Sequence, residues 1–138
     1  MKCFNHWAVL AVLISAGLLL FSCSENATSP QAISLEQAER IILSSVLNGN
    51  DSGKVVYELP TQMKAGTIVY PSYSPDSVSY DAPTDSWFFF IDDKPGYRWA
   101  HPCRYAFVCC SSGIPTVYNE SFPPDNADSL SVVMFNSQ

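Results

Sequence analysis

Between Leu35 and Val46 the apolar residues recur at helical spacing. Leu35, Ala38, Ile41, Ile42, Leu43 and Val46 make one face, with Glu36, Glu39 and Arg40 largely opposite it. Ser34 precedes the run and Gln37 follows three residues later, a pair able to cap each other's backbone N–H groups. Asn48-Gly49 supplies the left-handed residues that commonly end a helix, so the spacing predicts a helix over about 35–47. After Gly53 the pattern turns to strands. KVVYELP is β-branched and aromatic until Pro60 stops it, and TIVY and SVSY are short strand candidates in a stretch broken by Pro71, Pro75 and Pro83. SWFFFID is apolar on both parities, Trp87, Phe89 and Ile91 on one side and Phe88 and Phe90 on the other. A central strand covered on both faces has this character. DDKPG then turns the chain, CRYAFVCC continues as a strand, SSGI is a tight turn, and PTVYNES returns. FPPDNADS interrupts the pattern before a last short strand, LSVVMF. The expected class is α+β: one N-terminal amphipathic helix packed on an antiparallel sheet of about four to five strands, a single domain over residues 34–138.

Candidate chemistry is densest in YRWAHPCRYAFVCC, Tyr97 to Cys110. As a nucleophile and base, Cys103 and His101 are poorly placed. Two residues apart on an extended chain, they sit roughly 6.6 Å from each other along the strand, about twice hydrogen-bond reach. As zinc ligands, His101, Cys103, Cys109 and Cys110 are suitable in kind. If 103–109 is a strand, however, its end sulfurs are about 20 Å apart, beyond any one ion or a disulfide. The remaining reading is a strand, with Cys103 and Cys109 packed as small apolar residues, Arg104 paired with Asp92 or Asp93 or laid over an aromatic ring, and His101 in a structural hydrogen bond at the strand entry. No phosphate-cradling glycine loop, serine elbow or zinc-protease helix motif occurs. The expectation is therefore a protein without catalytic residues, metal or cofactor. Its candidate binding residues are Trp87, Tyr97 and Trp99 as a stacking platform, with His101 and Arg104 beside them.

The first residues add a location. AVLAVLISAGLLLF is short for a membrane span and runs into LFSC, Leu20 to Cys23. This resembles the lipobox of bacterial lipoprotein signal peptides. The resemblance implies cleavage after residue 22, acylation of Cys23 and a bilayer anchor in the cell envelope; Ser24 at the next position favours the outer over the inner membrane. Acyl burial is worth about 0.8 kcal/mol per methylene, so a multiply acylated cysteine holds firmly. Residues 23–33 then read as a flexible tether. Removing 1–22 takes away Lys2 and no acidic residue, moving the net charge from −6 to −7. Such a balance argues against nucleic acid as a partner.

The capped helix, KVVYELP, SWFFFID and the hairpin CRYAFVCCSSGIPTVY with Gly113 in its turn resemble PepSY-type domains over residues 34–121. Those domains occur in propeptides of secreted proteases and in free-standing exported lipoproteins. The proline-broken insertion at 61–85 and WAHPC depart from the pattern. WAHPCRYAFV is also similar to the amino-terminal region of larger exported bacterial proteins that carry a hydrolase further on. The resemblance implies a non-catalytic domain that binds a protein partner, a secreted peptidase among the candidates, as inhibitor or chaperone. The alternative is a small glycan- or peptide-binding module using exposed aromatics.

Overall fold

A computed structural model describes residues 31–73 and 78–135. The expected signal peptide, Cys23 and most of the tether lie outside the described residues. Helix α1 (Leu35–Ile41) leads into a wider π-type turn over Ile42–Val46, and seven strands follow: β1 (Val55–Glu58), β2 (Ile68–Val69), β3 (Tyr80–Asp81), β4 (Ser86–Asp92), β5 (Cys103–Cys109), β6 (Pro115–Glu120) and β7 (Ser131–Val132). Five of them form one antiparallel sheet in the order β6-β5-β4-β1-β7, and β2 pairs with β3 in a small second sheet. The architecture is α+β.

Ser34 and Gln37 form both halves of the capping box, at 3.2 and 2.8 Å. The predicted helix is regular only to Ile41, and its last turn is wound more loosely. Leu47 N–H reaches Ile42 O at 2.9 Å across five residues. At α-helical winding Leu47 would lie about 140° round from Ile42; the wider turn brings both into the core, where they are 5% and 0% exposed. Asn48 (φ 53°) and Gly49 (φ 73°) end the turn in the left-handed region. Ile33, expected in the tether, is tied to the domain: it donates to Cys110 O and accepts from the Trp87 indole N–H.

The parity of SWFFFID has its predicted consequence. On one face of β4, Phe89 and Ile91 pack with Ala38, Ile42, Val56, Ala106 and Val108 beneath the helix. On the other, Phe88 and Phe90 pack with Tyr105, Phe107, Cys103, Met63, Val69 and Ala82. Met63, Val69, Tyr80 and Ala82, from the insertion that broke the expected pattern, supply cover for this second face. Met63 bridges to Ser86 through both backbone groups at 2.9 Å, and Asp85 accepts from Ala65 N–H and Lys64 Nζ. Tyr57 stacks on Phe90 with ring centroids 5.6 Å apart, and Phe88 meets Phe107 at 5.1 Å.

Two assignments change. Cys109 was expected in the core beside Cys103, yet it is only half-buried, and Cys110 is the buried one. The strand ends at Cys109, and Cys110 N–H turns away to Asp85 O at 2.8 Å. The β5–β6 turn passes close to the helix: a Cβ on Gly113 would lie 3.0 Å from Ile41 Cδ1, which would have to shift slightly, and the left-handed φ of 71° is what requires glycine there. Glu39 was placed on the polar side of the helix. It is partly buried and its charge acts on Glu58 of β1, whose Oε2 is buried without a hydrogen-bond partner.

Candidate functional site

The connection between β4 and β5, residues 93–102, lies across one end of the sheet and is held at both ends. Asp92 Oδ1 accepts from Lys94 N–H at 2.9 Å and meets His101 Nε2 at 3.0 Å. His101 Nδ1 faces Trp99 O at 2.7 Å, and His101 N–H donates to Ser121 O. A carbonyl and a carboxylate are both acceptors, so the ring satisfies the two together only as an imidazolium. Neutral imidazole donates to one of them.

Two further segments complete the surroundings. Ser72 N–H donates to Pro123 O and Asp125 N–H to Tyr70 O, both at 2.8 Å, which ties 70–73 to 122–125. Phe122 O accepts from the Tyr105 hydroxyl at 2.8 Å and from the Cys103 thiol at 3.3 Å. Together these segments enclose a cleft of about 550 Å³, within the usual range for small-ligand sites. Tyr73, Tyr97 and Trp99 line it and are 91%, 65% and 87% exposed. Arg98 lines the same cleft, and Lys94 Nζ lies 6.0 Å from the Tyr97 ring centre. A smaller cleft of about 280 Å³, bordered by Tyr57, Phe90, Asp92 and Leu130, adjoins it across Tyr97, His101 and Pro123.

Of the five residues expected at a binding site, the fold brings together Tyr97, Trp99 and His101. Trp87 and Arg104 do not join them. Trp87 is on the helix-facing side of β4, half-buried, with its N–H bound to Ile33 O at 3.0 Å. Arg104 projects from that side of β5. Its guanidinium holds both Asp93 oxygens, at 2.6 and 2.8 Å, and also donates to Val46 O. Tyr73, Arg98, Phe122 and Pro123 were not anticipated. Tyr73 comes from the insertion, and nothing in its local sequence signals proximity to Trp99.

The cysteines divide by environment. Burial pushes the Cys103 thiol up to about 12, reinforced by the charges of Glu120, Asp92 and Asp93, so it stays a hydrogen-bond donor. With both His101 nitrogens turned to other partners, a Cys103–His101 dyad has no support in the geometry. Cys109 behaves oppositely: hydrogen bonds from Ser111 first, then Ser112 and Thr84, lower it to about 6. Burial, with the Glu120 hydrogen bond at 2.8 Å, raises the Tyr80 hydroxyl to about 12. Among the described residues no three histidine, cysteine or acidic side chains converge as metal ligands.

Comparison with known protein families, with curated proteins and with solved structures returns no match. The reading of the site therefore stands on its chemistry. Three exposed ring systems at one cleft, with Arg98 in its lining, can stack on and orient a ligand.

Proposed function

We propose that this chain is a lipid-anchored envelope protein whose domain binds a ligand, without transforming it, in the cleft of Tyr73, Tyr97 and Trp99. The observation that carries the reading is the exposure of those rings: the same chain buries Tyr105, Phe88, Phe89 and Phe107 completely, yet leaves these three exposed around one cleft. Covering one such side chain is worth about 1.5–3 kcal/mol, so two or three contribute roughly 3–9 kcal/mol before the cost of association, and polar contacts must supply the rest of any tight binding. The anchor is the Cys23 implied by LFSC, and the tether gives the cleft reach from the membrane surface. Glycan and peptide arrays probed with the full chain in detergent test the function. Ligands retained by the wild type and lost by Trp99→Ala support it, and an array with no Trp99-dependent ligand removes it.

A second reading keeps the propeptide-like role, in which the partner is a secreted peptidase. A capped helix laid over antiparallel strands, with a glycine turn at Gly113 in the closing hairpin, favours it. A pull-down from native envelope followed by an inhibition assay on any peptidase recovered tests this reading. A peptidase recovered but unaffected by the protein would end it.

A further inference from the structure

Resting on the cleft reading, we infer that the ligand is an acidic saccharide, bound with its sugar faces on the exposed rings and a uronate carboxylate on Arg98. Charge is the first ground. The chain carries a net −6, yet among the described residues no carboxylate lines the larger cleft. Asp92, which with Asp128 borders the adjoining smaller cleft, is already engaged by His101 and the Lys94 backbone. Arg40, Lys64 and Arg104 each hold a carboxylate, whereas Arg98 pairs with none among the described residues. Arg98 in the lining, with Lys94 Nζ 6.0 Å from the Tyr97 ring centre, puts two basic side chains at this cleft of an acidic protein. A planar carboxylate matches the guanidinium fork in both shape and charge.

The cleft wall is the second ground. Every residue lining it belongs to a connection between strands, so no strand edge is available there. An extended peptide draws much of its affinity from pairing with such an edge. A sugar ring needs none. Its C–H face packs on an aromatic face, and its hydroxyls stay in the water of an open cleft. His101 contributes as a positioning residue, holding the Trp99 carbonyl and with it the segment that carries Tyr97 and Trp99.

The test uses calorimetric titration of the full chain in detergent with short oligogalacturonates and with the same oligomers fully methyl-esterified, which keeps their shape and removes their charge. The acid form is expected to bind at least about tenfold tighter than the ester, and to weaken as salt screens the pair. Arg98→Gln should erase the preference, bringing the acid form down to the affinity of the ester. Arg98→Lys should restore part of it, and Trp99→Ala should weaken both ligands. Equal binding of acid and ester that still depends on Trp99 overturns the inference and leaves the cleft reading intact. Absence of binding by either form, with folding verified by circular dichroism, also overturns it, and the array result then decides the cleft reading separately.

Discussion

Glu58→Gln isolates a charge that the fold holds at a disadvantage. The Glu58 side chain leaves β1 toward the helix, its Oε2 is buried without a partner, and burial first, then the Glu39 charge, raises its carboxyl from 4.5 to about 7. A carboxyl whose folded value exceeds its unfolded one favours the protonated state on folding. The domain is therefore most stable, as far as this group is concerned, below about 4.5, and it loses that stability as pH rises toward and through 7. At about 1.36 kcal/mol per tenfold change in proton affinity, the span from 4.5 to about 7 sets a ceiling near 3.4 kcal/mol. Solvent reaches part of the side chain, so roughly 1–2 kcal/mol is the expected effect. Glutamine keeps the shape, carries no charge and can donate to Glu39. Urea and thermal denaturation of wild type and variant at pH 4.5 and pH 8 measure the difference. The variant should be more stable at pH 8 by about 1–2 kcal/mol, raising Tm by roughly 4–10 °C, and the gain should vanish at pH 4.5. Glu39→Gln should act in the same direction with a smaller amplitude. A gain of equal size at both pH values, or a loss at pH 8, would refute the assignment.

Three other outcomes follow from the same structure. Asp93→Ala leaves the Arg104 guanidinium, whose side chain is 18% exposed, with Val46 O as its remaining acceptor. It should cost about 2–3 kcal/mol in urea denaturation, with part recovered in the Asp93→Ala/Arg104→Met double variant; a single-variant loss below about 0.5 kcal/mol would contradict the pair. Iodoacetamide at limiting concentration should alkylate Cys109 with a rate that rises through about pH 6, while Cys103 stays unreacted until the protein unfolds. Peptide mapping that finds both labelled at similar rates would reverse this ranking. Ser34→Ala removes the hydroxyl that accepts from Gln37 N–H and should destabilise by about 1 kcal/mol, whereas Ser34→Asp should not.

How far the fold is legible in the sequence depends on the range of the signal. Ser34, Gln37 and the glycines at 49 and 113 act within a few residues, and the structure uses each as its local chemistry dictates. The two-sided apolar run from Trp87 to Ile91 identifies a central strand because its neighbours on both faces must be apolar. By contrast, β2 and β3 have two residues each, too few for a period to register, so the cover of the second face is invisible until the chain is folded. The exchange of Cys109 for Cys110 comes from where the strand stops, which a hydrogen bond to the distant Asp85 decides. At the cleft, Tyr97, Trp99 and His101 are close in sequence and were found together. Tyr73 and Phe122 arrive from connections whose approach to one another depends on the Pro71–Pro124 bridge. Trp87 and Arg104 share the composition of a binding surface, but strand parity turns them to the helix side of the sheet.

The most direct test of a ligand site at this cleft is a side-by-side array experiment with the full chain in detergent: wild type, Trp99→Ala and Trp87→Phe against the same glycan and peptide sets. The account predicts that ligands bound by wild type are weakened about tenfold or more by Trp99→Ala and are unaffected by Trp87→Phe, whose ring belongs to the core beneath the helix. Ligands that ignore the Trp99 substitution, or an array without any ligand, would contradict it.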